Sequence, residues 1–136
     1  MKASMQEEGR KLIRASEDIL RRDAETALAA GDFNLVVRRS QEVVELALKG
    51  ALRILGVDYP RVHDVAPVFS EQVQRKRGMV DLALLEQIEG ISLWLGQARA
   101  PSFYFERDYD EEDARKALED AGFVLTQVKK ILGNTG

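Results

Sequence analysis

Apolar residues return at helical spacing along almost the whole of this chain. Leu12, Ile13, Ser16, Ile19, Leu20, Ala24, Ala27 and Leu28 make one stripe, opposite a face that carries Arg10, Arg14, Glu17, Asp18, Arg21, Arg22 and Glu25. The spacing predicts a first helix over about residues 4–30. Gly31 closes it, because a glycine takes the left-handed C-cap conformation at little cost. Asp32 is then placed to cap a second helix over about 33–55. Its apolar set of Phe33, Val36, Val37, Val43, Val44, Ala47, Leu48, Ala51, Leu52 and Leu55 is too wide for one neighbour, so this helix is predicted to be central.

Gly56 ends that helix, and Val57 to Val62 reads as a loop in which Pro60 keeps Tyr59 out of the helical region. A short third helix is predicted from His63 or Asp64 to about residue 76, with Pro67 in its first turn, where a missing N–H costs nothing. Arg75, Lys76 and Arg77 put cations at its negative end. Leu84, Leu85, Ile88, Ile91, Trp94, Leu95 and Ala98 predict a fourth helix over about 81–99, with a loop from Pro101 to Tyr109. Asp110, Glu111, Glu112 and Asp113 favour the positive end of a last helix. Its buried face is Ala114, Ala117, Leu118, Ala121, Val124, Leu125, Val128, Ile131 and Leu132. No strand pattern competes. The fold class expected is all-α, an up-down four-helix bundle with one extra short helix.

The length of 136 residues suits one domain over residues 1–136. The chain has no cysteine, which removes disulfides, thiolate metal sites and cysteine nucleophiles and suits a reducing cytoplasm. A formal charge of −3 gives no long basic stripe, although a locally basic face is still open. No apolar run approaches the ~20 residues of a membrane span. Residues 1–8 are polar and acidic, unlike a signal peptide. Cytoplasmic location is therefore expected.

Familiar constellations are missing. There is no glycine-rich phosphate loop, no Glu-x-x-His pair for a di-iron bundle, and too few histidines for zinc, so neither metal nor cofactor is expected. Glu42, Glu45, Glu86 and Glu89 read as a solvated helix face. His63, the one histidine, stands at the junction into helix three. Locally, the simpler account is that His63 and Asp64 cap that helix. The chemical account is an imidazole acting as acid or base near neutrality, Arg61 steadying a phosphate, and Asp64 orienting the ring. In the segment Arg99 to Tyr104, Phe103 is read as packing the turn onto the bundle, as is Phe105 just beyond it. Tyr104 stays open, and the arginine with the aromatics offers a nucleotide charge and stacking. Arg38 and Arg39 are either a basic patch or partners of acids on helix one.

The order of motifs resembles the HEPN domain family, the higher-eukaryote and prokaryote nucleotide-binding domain. The stretch Ala15 to Leu20 resembles the family's Ala-x-Glu-Asp-Leu segment, and Gly31-Asp32-Phe33 its Gly-Asp-Tyr junction. The stretch Ser40 to Lys49 is similar to its Gln-Gln-x-x-Glu-Lys-Ala-Leu-Lys helix, His63-Asp64-Val65 to its Thr-His-Asp-Leu, and Arg99 to Tyr104 to its Arg-Tyr-Pro-x-Tyr turn. The resemblance implies a helical bundle that homodimerises and binds nucleotide or RNA, at Lys49, Arg61, His63, Asp64, Arg99 and Tyr104 in this chain. It also implies a nucleotidyltransferase partner in a toxin–antitoxin-like pair. The toxic members of the family that the chain resembles are metal-independent ribonucleases in which four to six residues separate an arginine from the histidine that follows it. Here those slots, Gly56, Val57 and Asp58, hold no arginine, so the catalytic role carries over to His63, with Arg61 as a candidate helper. A non-catalytic protein-interaction dimer is the remaining alternative.

Overall fold

The computed structural model of the chain describes residues 2–133, with side chains from Ser4 onward. Met1 and residues 134–136, part of the expected 1–136 domain, lie outside the described residues. The described residues are all helical where they are regular, in five helices. Helix α1 covers residues 2–29 in three stretches, Lys2–Asp18, a π-helical Ile19–Ala24, and Glu25–Ala29. Then follow α2 (Phe33–Ile54), α3 (Ala66–Arg77), α4 (Leu82–Tyr104) and α5 (Glu111–Gly133).

Helix α2 is central, as its broad apolar set predicts. It packs against α1, α5 and α4, with smaller contacts to α3. Val36, Val37, Val43, Val44, Ala47, Leu48, Ala51 and Leu52 are all buried. Helix α1 runs antiparallel to it. Gly9 lies against Gly50, and Ser16 donates to the Val43 carbonyl at 2.8 Å. The two glycines permit the close crossing, because a Cβ built on Gly9 would sit 2.6 Å from the Gly50 carbonyl oxygen.

Four expectations need correction. First, the helix over 4–30 is interrupted by the π-helical turn at Ile19–Ala24. Nothing in Ile-Leu-Arg-Arg-Asp-Ala marks it, since the stretch holds neither glycine nor proline. The turn accommodates an extra residue. Beyond it Ala27 reaches a second apolar cluster with Val36 and Ala114. Second, Asp32 takes the N-cap position of α2 but makes no side-chain capping bond; its carbonyl accepts from Val36 N–H at 3.0 Å.

Third, helix three starts at Ala66, so His63 is not its first residue but sits in the preceding bend. Fourth, α4 does not stop at Arg99 but continues through Pro101 to Tyr104. A proline in a helix interior costs roughly 3 kcal/mol, and side chains offset that cost here. Ser102 Oγ donates to the Arg99 carbonyl at 2.8 Å. Asn34, buried on α2, donates to the carbonyls of Ser102 at 3.2 Å and Arg107 at 2.9 Å and accepts from Tyr109 N–H at 2.9 Å. Phe105 closes the helix in the left-handed conformation at φ 55°, and Glu106 N–H bonds the Pro101 carbonyl at 3.0 Å.

The last helix begins as its acids predict. Asp110 and Asp113 form a reciprocal capping pair, each carboxylate accepting from the other residue's backbone N–H, at 2.8 and 3.2 Å. Trp94 Nε1 donates to Asp120 and Lys129 to Glu17, tying α5 to α4 and α1. No helix among the described residues is long and apolar enough to cross a membrane.

Candidate functional site

Side chains four residues apart share a helix face. On α2 this places Gln41, Glu45 and Lys49 in one row, pointing between α4 and the loop ahead of α3. Glu45 is the hub. Its Oε2 accepts from Lys49 Nζ at 2.7 Å and its Oε1 from Gln41 Nε2 at 2.9 Å. Oε1 also meets His63 Nδ1 at 3.0 Å and lies 3.9 Å from Arg99 Nη1. Arg99 Nη1 in turn donates to Gln41 Oε1 at 2.6 Å. The Glu45 side chain is only 14% exposed, so it is no part of a solvated face. Burial pushes its carboxyl up, but the Lys49 and Gln41 hydrogen bonds, the Lys49 charge and the His63 contact outweigh burial and hold it below the ordinary carboxylate value.

Above this hub opens a cleft of about 340 Å³, lined by Arg38, His63, Gly96, Arg99, Ala100, Phe103 and Tyr104. Phe103 and Phe105 do not pack onto the bundle as expected. They are 45% and 69% exposed, because α4 runs on past Pro101 and carries Phe103 to the cleft rim. The Arg38 guanidinium lies 3.8 Å over the Phe103 ring, and Tyr104 meets that ring edge-on at 4.7 Å. Arg38 and Arg39 pair with Glu42 on their own helix, not with acids of α1. Four cations, Arg38, Arg39, Lys49 and Arg99, thus face two carboxylates, Glu42 and Glu45, and the row is locally basic on a chain of net negative charge.

Of the residues singled out from sequence, Lys49, His63, Arg99 and Tyr104 gather here. Lys49 also lies 5.1 Å from the Tyr59 ring. Asp64 is turned to a structural task, its Oδ1 accepting from Ala66 N–H at 3.2 Å and from Ser92 Oγ at 2.7 Å, which pins the start of α3 to α4. It therefore holds the turn ahead of Val65, the N-cap residue of α3, and Glu45 takes the place beside the imidazole. Arg61 is exposed and has no ion pair or hydrogen bond among the described residues, and it does not line the cleft. Arg99 occupies the place beside His63 that proximity in sequence suggested for Arg61.

Gln41 went unnamed in the sequence reading and Glu45 was read as solvated, while Arg38 was named as part of a basic patch or a partner of helix-one acids and Phe103 as packing the turn. The signal was present for the first two, since Gln41, Glu45 and Lys49 repeat at a spacing of four inside the Ser40–Lys49 motif. Arg99 also stands five positions before Tyr104, within the Arg99–Tyr104 turn.

The site is thus a buried carboxylate that holds the Lys49 ammonium and two groups lining a cleft, an imidazole and a guanidinium, and the same cleft is lined by a second arginine and two aromatic rings. That is equipment for an anion attached to a ring system. No curated protein and no solved structure matches the chain. A family model, that of the HEPN domain, matches residues 10–131, nearly the whole chain, and the protein belongs to that family.

Proposed function

We propose that this HEPN domain binds the phosphate of a nucleotide or of RNA in the cleft between α2 and α4. One observation carries the reading. His63 and Arg99, 36 positions apart in sequence, meet on the same Glu45 oxygen at the foot of a cleft whose rim offers Phe103 and Tyr104 for stacking. Arginine is suited to the anion by its planar fork of donors, and only its Nη1 is engaged by protein among the described residues. The exposed rings are suited to a base. Isothermal titration of the purified chain with inorganic phosphate, mononucleotides and short RNAs tests it. Binding is expected, weakened at least about tenfold in His63→Ala and Arg99→Ala, a loss on the order of 1.4 kcal/mol. Absence of binding to all three would sink the reading.

The same reading includes a homodimer in the cytoplasm and a nucleotidyltransferase partner in a toxin–antitoxin-like pair. What supports a partner is α4, which leaves Leu82, Leu93, Phe103 and Tyr104 exposed. Light scattering on the isolated chain, and co-purification with a nucleotidyltransferase encoded beside it, are the measurements.

A second reading, a metal-independent ribonuclease, is favoured by the contact of His63 and Arg99 with one carboxylate. In it His63 moves a proton at the 2′-OH or at the leaving oxygen, while Arg99 stabilises charge on the phosphate. RNA cleavage in EDTA is then expected, lost in His63→Ala and Arg99→Ala and retained in Arg61→Ala. Undiminished cleavage by the first two variants removes it.

A further inference from the structure

We infer that Glu45 is the positioning residue of the cleft: its carboxylate accepts a hydrogen bond from His63 Nδ1–H and leaves Nε2 as the unprotonated nitrogen presented to a ligand. The functional consequence rests on the phosphate-binding reading, whereas the tautomer itself does not.

Donors and acceptors fix the tautomer. Glu45 Oε1 and His63 Nδ1 lie 3.0 Å apart, so one of them donates. An ionised carboxylate has no proton to donate. Glu45 is kept ionised by a cation of its own helix, Lys49 at 2.7 Å, and one of the packed α4, Arg99 at 3.9 Å. The proton therefore sits on Nδ1, and in the neutral ring Nε2 is left as the acceptor. That is the form able to take a proton from a hydroxyl or, once protonated, to donate to a phosphate oxygen.

The hold is rigid on one side only. Glu45 is fixed by Gln41 and Lys49, while His63 sits in a bend and is 59% exposed. Without Glu45 nothing else described contacts the ring through a hydrogen bond. Asp64, adjacent in sequence, is committed to Ala66 and Ser92. A residue on the most buried helix thus sets the chemistry of a residue on an exposed loop. The arrangement separates two jobs, Lys49 and Gln41 holding the carboxylate and the carboxylate holding the imidazole.

Nitrogen-15 NMR of the His63 ring, with the imidazole neutral, tests this directly. The wild-type chain is expected to show Nδ1 in the protonated range and Nε2 in the unprotonated range. In Glu45→Gln, neutral but of the same size, the Nδ1–H fraction falls. In Glu45→Ala it falls further, to the tautomer mixture of an exposed histidine. A purely structural role for Glu45 would leave the ring nitrogens unmoved. An Nε2–H ring in the wild type, or an Nδ1–H fraction unchanged in the folded Gln variant, overturns the inference. Loss of the fold in Glu45→Ala leaves the Gln variant to decide. The phosphate titration of the wild type separates the two claims: a chain that binds no phosphate yet keeps Nδ1–H loses the ligand reading alone.

Discussion

Arg99 donates from Nη1 to Gln41 Oε1 at 2.6 Å, and Gln41 passes the polarity on by donating from Nε2 to Glu45 at 2.9 Å. The amide cannot be turned over without setting donor against donor and acceptor against carboxylate, so the two partners fix its orientation. Arg99→Lys tests what this fork does. Lysine keeps the charge and can reach Gln41, but it loses the planar set of donors. We expect phosphate affinity to fall about tenfold or more, near 1.4 kcal/mol, while the urea midpoint moves little. Equal losses of stability and affinity would show that Arg99 only braces the helices.

Asn34 carries more of the fold than its type suggests. It is 6% exposed and spends both amide hydrogens and its carbonyl on the α4 terminus and the loop behind it. Asn34→Ala strands the buried Ser102 carbonyl and Tyr109 N–H and the part-buried Arg107 carbonyl. With each unsatisfied group costing about 1–3 kcal/mol, a loss on the order of 3 kcal/mol is expected in urea unfolding. Amide exchange should quicken around Ser102 to Tyr109, and the Phe103–Tyr104 rim of the cleft should loosen with it. Exchange unchanged there would mean that Pro101 is held by something other than Asn34.

Much of this bundle was legible in the sequence because apolar spacing and glycine punctuation agree. Gly31 and Gly56 adopt positive φ at helix ends, where they were expected, and Gly78 does the same after α3. What escaped was decided by contacts far apart in sequence. Pro101 reads as a helix breaker until Asn34, many residues upstream, is seen holding the next turn. Glu45 reads as a solvated acid until α4 and the loop before α3 close over it. The π-helical turn of α1 has no local signature at all. The site followed the same division: His63, Lys49, Arg99 and Tyr104 were found by motif, but the meeting of His63 and Arg99 on Glu45 is a property of tertiary packing. Arg61 was favoured only by its closeness along the chain.

Glu45 also sets an acid limit on the fold. Its folded pKa lies below the ordinary 4.5, so in the fold it stays ionised at pH values where the unfolded chain takes up a proton. The stabilisation is therefore complete above 4.5 and is lost as pH falls through the lower, folded value. Urea midpoints followed from about pH 6 to about pH 3 should fall, part of the fall belonging to this group. In Glu45→Gln the protein starts less stable and the curve is flatter, so the two lines converge in acid. Parallel lines would assign the acid sensitivity to other carboxylates.

Glycines inside helices are usually a loss of about 1 kcal/mol against alanine, and the structure separates two cases. A Cβ on Gly50 would meet the Gly9 carbonyl oxygen at 2.8 Å and Ile13 Cγ1 at 3.0 Å. The first of these is backbone of an antiparallel neighbour and cannot turn aside. Gly50→Ala must push α1 off α2 and is expected to cost about 1–3 kcal/mol despite its better helix propensity. Gly90, on the exposed side of α4, meets nothing within 4 Å. Gly90→Ala should therefore gain about 0.5–1 kcal/mol. Thermal unfolding of the two variants beside the wild type gives both signs at once. A stabilised Gly50→Ala would show that the α1–α2 crossing is wider than the one described, and with it the seat of Glu45 and Lys49 on the face of α2.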